Sequence, residues 1–211
     1  DTAQRLIILR DDREVAVPFL GDMLAFQENA LTRLHALWTL EGIGAVDRGI
    51  LLGALGDRDP RVRAAAIQIS EQNLPEMLED LLGLTDDRDA GVAKQLIFTL
   101  GLSDRPEAID AIQQAARRHL SHKGVNLATA VSLWGMEELP LVSEVVGSDD
   151  PAVANFKTVL ANWSRGLTFP KEMPRDEQRR ITHGETLFFK HCTACHGADG
   201  KGMEAAGTGL F

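Results

Sequence analysis

The sequence predicts an all-α chain, and two observations carry that expectation. Apolar residues recur at intervals of three and four, and the stripes they make return with a period near thirty residues. No stretch alternates in the two-residue rhythm of a half-buried strand. The pattern starts in residues 2–9 and runs to about residue 165. Leu31, Leu34, Trp38 and Leu40 mark one stripe, then Val62, Ala66 and Ile69, then Val92, Leu96 and Leu100. Val153, Phe156, Leu160 and Trp163 mark the last. Each belongs to a helix of about twelve residues, too short to be stable alone, so each stripe has to be buried against a neighbour. The expected core comprises Leu34, Trp38, Leu52, Val62, Ile69, Leu81, Val92, Leu96, Leu100, Leu133, Phe156 and Leu160.

The connections repeat with the helices. Leu51-Leu52-Gly53 returns as Leu81-Leu82-Gly83, and Asp57-Arg58-Asp59-Pro60 aligns with Asp87-Arg88-Asp89-Ala90. A third copy is Ser148-Asp149-Asp150-Pro151, and a drifted one falls near His122-Lys123-Gly124-Val125. Asp59, Asp89 and Asp150 are expected N-caps, their carboxylates accepting from backbone N–H groups that the first turn leaves free. Pro60 and Pro151 suit the first helical position, where no N–H is needed. A fixed period built from antiparallel helix pairs signals an α-solenoid.

The periodicity ends at Trp163-Ser164-Arg165-Gly166. Pro170 and Pro174 exclude a helix between Leu167 and Pro174, which is expected to be extended. A new helix is expected from Asp176, a plausible N-cap, through Phe189. Three units follow: a solenoid over 1–165, a linker over 166–175 and a separate segment over 176–211.

Composition excludes several classes of function. The formal net charge is −9, with both signs interspersed and no basic stripe, so nucleic-acid binding has no electrostatic footprint. No apolar run approaches the length that spans a bilayer. The glycine-rich stretch from Gly197 to Gly202 lacks the phosphate-loop pattern, and neither a nucleophile elbow nor a pair of catalytic carboxylates is evident. No catalytic centre is visible. Trp38, Trp134 and Trp163 read as core aromatics, and His35 as a packed or capped imidazole. His119 and His122 have the spacing of a helical metal pair, but no carboxylate completes a motif, and a solvated helix end is the better reading. Arg117 and Arg118 complement the negative end of a helix.

The densest chemistry lies near the end. Cys192-Thr193-Ala194-Cys195-His196 spells C-x-x-C-H, the attachment signal for a c-type haem. The two thiols are placed to form thioethers with the porphyrin, and His196 to ligate the iron as its proximal imidazole. They are the chain's two cysteines. A zinc half-site would need two more ligands, for which His183, His191 and His196 are available. A redox dithiol would need a βαβ context, which is absent, and an incidental pair is the remaining alternative. Covalent haem c is the reading that the motif favours.

Two resemblances extend these readings. The acidic turns and the period resemble HEAT-like repeats, about five pairs over residues 1–165, which implies a scaffold. Residues 176–211 resemble the start of a class I c-type cytochrome. Gly184 and Phe188 stand eight and four residues before Cys192, where that family carries a close-packing glycine and an aromatic, and the loop 197–202 resembles its glycine-rich loop. In that family the sixth ligand is a Met tens of residues downstream, after a proline-containing segment. Met203, seven residues after His196, does not match it, and no Pro follows the motif. The resemblance therefore implies an incomplete cytochrome c segment whose sixth ligand is not expected within the chain. Leu187 and Phe188, without their partner helix, are expected to be exposed or to borrow another surface.

Repeats running into a cytochrome c resemble the C-terminal part of bacterial membrane-bound dehydrogenases, in which a propeller precedes both. This implies electron transfer through covalent haem c on a repeat scaffold, within a larger extracytoplasmic or periplasmic oxidoreductase. The implied partner is a redox protein or a fused dehydrogenase domain. The competing expectation is an interaction scaffold with a non-functional cytochrome remnant. Beginning at Asp1, with no initiator Met and directly in a helical pattern, the chain is expected to be cut from something longer.

Overall fold

The structure, a computed structural model, describes residue 7, residues 13–133, 136 and 138–161, and residues 173, 174, 177, 180, 181 and 184. Among these, all regular structure is helical. The expected helix over 2–9 apart from Ile7, which is helical, Trp134, Trp163 and most of 162–211 lie outside the described residues.

The helices alternate between two layers. One layer holds α2 (Ala30–Gly42), α4 (Pro60–Ile69), α6 (Ala90–Leu100), α8 (Lys123–Ser132) and α10 (Ala154–Ala161), each packed on the next. The other holds α1 (Arg13–Phe26), α3 (Arg48–Leu55), α5 (Leu74–Leu82), α7 (Pro106–Arg118) and α9 (Pro140–Gly147). Of these, α1 rests on α2, α3 on α4, α7 on α6 and α8, and α9 on α10. A short 3₁₀ turn, Ser70–Asn73, links α4 to α5, and Pro151–Val153 forms another that runs into α10.

The turns start the helices as the pattern implies. Asp59 accepts from Arg61 N–H at 2.9 Å, Asp89 from Gly91 N–H at 2.8 Å and Asp150 from Ala152 N–H at 2.8 Å. Even the drifted copy is a cap, with His122 Nδ1 accepting from Val125 N–H at 3.3 Å. Asn29 caps α2 in the same way, thirty residues ahead of Asp59. At the three acidic caps the residue two before ties the turn as well. Asp57 accepts from Asp59 N–H at 2.7 Å, Asp87 from Asp89 N–H at 2.9 Å and Ser148 from Asp150 N–H at 3.1 Å. At the far end of α2, Gly44 turns the chain with φ +66°, a left-handed conformation that glycine adopts without strain.

Stacking buries one continuous core from Leu37 to Leu160, with a smaller cluster of Leu20, Ala36, Leu40 and Ile43 against which Ile7 packs. Val62, Leu81, Val92, Leu96, Leu100 and Phe156 are wholly buried, and Ile69, Leu133 and Leu160 nearly so. Leu34 and Trp38 sit half-buried at the edge of the core. Leu52 departs from expectation at 38% exposed. The two turns of α3 bury Leu51, Ala54 and Leu55, and a neighbour one residue on is rotated about 100° away from that face. The repeated Leu-Leu therefore places only its first leucine inside, and Leu82 is likewise half-buried beside the buried Leu81.

Along the first layer, the fourth residue of α2, α4, α6 and α8 decides how the joint is made. Arg33 in α2 grips Asp57 through Nε and Nη2, both at 2.7 Å, and its Nη1 donates to the Gln27 and Glu28 carbonyls. Arg63 in α4 repeats this, with Nε and Nη2 donating to Asp87 at 2.7 and 2.9 Å and Nη1 to Asp57 O at 2.8 Å. In α6 the position is Ala93, and the residue aligned with Asp57 and Asp87 becomes Leu120, so both partners change together to apolar groups. Ala93 is buried in the main core and Leu120 packs against it. In α8 the position is Asn126, whose Nδ2 keeps the carbonyl bond by donating to Leu120 O at 2.8 Å.

Candidate functional site

Cys192, Cys195 and His196 lie outside the described residues, as do His183, His191, Leu187, Phe188, Met203 and the loop 197–202. The structure reaches the approach to the motif. Met173 and Pro174 are non-helical, as the prolines require. Glu177 N–H then donates to Pro174 O at 3.1 Å, and Glu177, Arg180, Ile181 and Gly184 are helical. A β-carbon at Gly184 would meet nothing within 4 Å. As a donor set, two thiols and an imidazole in the C-x-x-C-H spacing fit a covalent haem.

His119 and His122 are occupied elsewhere. His119 Nε2 lies 3.0 Å from Asp87 O, and because a carbonyl only accepts, the ring donates there. This supplies the hydrogen bond that Arg33 and Arg63 make to the equivalent carbonyls sixty and thirty residues earlier, and that Ala93 cannot. His122 is spent as the cap of α8. The pair thus serves two separate backbone sites. Among the described residues, no group of three or more His, Cys, Asp or Glu is placed to hold a metal. His35 is exposed on α2, not packed as expected. Arg117 and Arg118 close the last turn of α7 and also reach across to Glu144 and Asp86.

A groove of about 990 Å³ runs between α1 and α3, with Arg33 and Asp57 at its floor and Arg58 at its mouth. Both floor groups are committed to each other. Burial pushes the Asp57 carboxyl up, but the Arg33 hydrogen bonds, the Asp59 N–H and the Arg33 charge outweigh it and hold the group below its ordinary value. Such a pair is structural: its proton and its lone pairs are not free to act on a ligand. No helix among the described residues is long and apolar enough to cross a membrane.

Residues 181–208 match the cytochrome c family, a stretch that contains Cys192, Cys195 and His196 and covers well under half of the chain. No curated protein and no solved structure matches the chain.

Proposed function

We infer that the chain is an electron-transfer module in which a covalently attached haem c is carried beside a HEAT-repeat scaffold. The observation that carries this reading is the cytochrome c match over 181–208, centred on the one C-x-x-C-H in the sequence. In this reading Cys192 and Cys195 hold the group by thioether bonds, and His196 ligates its iron. When bound, the haem supplies a one-electron Fe(III)/Fe(II) couple. The protein's part is to anchor and orient it. The scaffold reading of residues 1–165 draws support from the repeated caps, the repeated Arg-to-Asp joints and the two-layer stacking. The division into a solenoid over 1–165, a linker over 166–175 and a cytochrome segment over 176–211 belongs to the same proposal. So do an extracytoplasmic location, a bacterial dehydrogenase context and a redox protein or fused dehydrogenase domain as partner.

The test is a pyridine haemochrome spectrum of the chain matured with the c-type assembly machinery, taken after acid–acetone extraction. Haem that stays with the protein, with the band position of two thioethers, is expected. Cys192→Ser should shift that band toward a single thioether. In the native optical spectrum, taken before extraction, His196→Ala should lose the signature of the proximal imidazole. A chain from which all haem extracts would overturn the reading.

A further inference from the structure

The outer face of α1 is apolar where a surface helix is ordinarily polar. Val15, Phe19 and Phe26 are 78%, 64% and 79% exposed, and with Asp22 they stand at i, i+4, i+11 and i+7, one stripe along the helix. Large aromatic side chains carry roughly 150–250 Å² each, so the stripe offers on the order of 400 Å² of apolar surface. That is the size of the largest apolar patch on a typical monomer, a patch that is often functional.

Next to the stripe lies the groove between α1 and α3, which Phe26 also lines. Its walls are low: a β-carbon at Gly21 on α1 or at Gly53 on α3 would meet no atom within 4 Å. The charges match as well. Asp22, between the two aromatics, has no cation among the described residues. Arg58, at the groove's mouth, has no carboxylate partner among the described residues and donates to Glu28 O. One surface thus carries both a ridge with an unpaired anion and a trough with an unpaired cation. A surface complementary to itself in shape and charge is what a two-fold symmetric pair requires.

We propose that a second copy of this chain occupies the groove, α1 of each copy lying in the α1–α3 groove of the other with Asp22 meeting Arg58 across the interface. Each copy contributes a ridge and a trough, which brings the covered surface toward the roughly 800 Å² per partner of a standard interface. The dimer is therefore at the weak end, in the micromolar range. It does not depend on the haem reading, because none of its residues lies beyond α4.

Sedimentation velocity of the full chain under reducing conditions, which keep Cys192 and Cys195 from cross-linking copies, tests this. The wild-type chain should pass from monomer to dimer with rising concentration. Asp22→Arg and Arg58→Asp should each weaken association by about tenfold or more, and the double variant should restore it, because like charges are replaced by an opposite pair. Gly53→Leu separates docking from folding. Leucine is the better helix former, so the monomer should melt at a higher temperature, while its side chain fills the trough and weakens association by about tenfold. A chain that stays monomeric to about 100 μM overturns the proposal, as that is far above the range such an interface implies. So does a dimer that Asp22→Arg and Gly53→Leu leave intact, or one that the double charge reversal does not restore.

Discussion

The joints α2–α4 and α4–α6 are ionic, whereas the joint α6–α8 is apolar, although all three join equivalent helices. In the ionic joints a guanidinium, buried at Arg33 and half-buried at Arg63, meets a carboxylate with two hydrogen bonds and also ties a backbone carbonyl. In the apolar joint Ala93 and Leu120 stand at those positions. There the helices also approach closely: a β-carbon at Gly101 would lie 2.4 Å from Ser132 Oγ, and Ser132 Oγ donates to Ile97 O at 3.0 Å. A buried ion pair costs desolvation that its attraction roughly repays, and well-packed apolar groups serve as well or better. The two kinds of joint are therefore alternative solutions, and the fold tolerates either as long as both partners change together. The leftover need is local. With no Arg at position 93, Asp87 O requires another donor, and His119 provides it.

The largest expected effect comes from changing one partner alone. Asp57→Asn leaves Arg33, 3% exposed, without its counter-charge and should cost about 3–5 kcal/mol by denaturant unfolding. Replacing both, Arg33→Met with Asp57→Leu, restores an apolar pair and should recover part of that loss, the remainder being the Gln27 carbonyl left without the donor that His119 supplies at the apolar joint. If the double variant is as unstable as the single, the two kinds of joint are not interchangeable. The apolar joint is vulnerable to the opposite change. Gly101→Ala should cost about 1–3 kcal/mol through overpacking. Ser132→Ala should not rescue it, since Ser132 Cβ itself would lie 2.6 Å from the new methyl. A neutral Gly101→Ala would mean that the close approach is not what holds α6 to α8.

Much of this was legible in the sequence wherever the cause is local. A helix start needs a short acceptor at one position, and Asp59, Asp89 and Asp150 announce themselves by that requirement. The stripes Val62–Ile69 and Val92–Leu100 show their phase because each spans several turns. Leu52 misleads because α3 has only two turns, too few to tell which of two adjacent leucines faces inward. The Arg-to-Asp joints had a signal, Arg33 and Arg63 each standing 24 residues before an Asp, but a pair so separated acquires meaning only once the layers are stacked. No signal marks His119, since the vacancy it fills is made by an absence at Ala93. At the C-x-x-C-H segment the balance reverses. Covalent attachment depends on a few residues adjacent in sequence, so the motif reads directly. Axial ligation on the far side depends on tertiary placement and does not.

The smallest expected effect is a dependence on acid. Asp59 is held at about 2, first by the hydrogen bond from Arg61, against an ordinary value of 3.8. Asp57 and Asp87 also lie below 3.8, though only as the remainder of opposing effects. Burial pushes each up, and the bonds from Arg33 or Arg63, the backbone N–H of Asp59 or Asp89 and the guanidinium charge more than offset it. A carboxylate whose folded value is depressed adds stability that is complete above its unfolded value and disappears as pH falls through the folded one. Stability should therefore be flat from neutral pH down to about 5, then fall between about 4 and about 2. The fall should not be uniform along the stack. All three carboxylates sit in the turns that join α2, α4 and α6, whereas the α6–α8 joint has an apolar pair in their place. Amide-exchange protection factors followed down that pH range should drop first in α2 and α4 and persist in α8. Equal loss of protection in both halves would mean that the stack responds as one cooperative unit, and that the ionic and apolar joints differ in chemistry but not in how they yield.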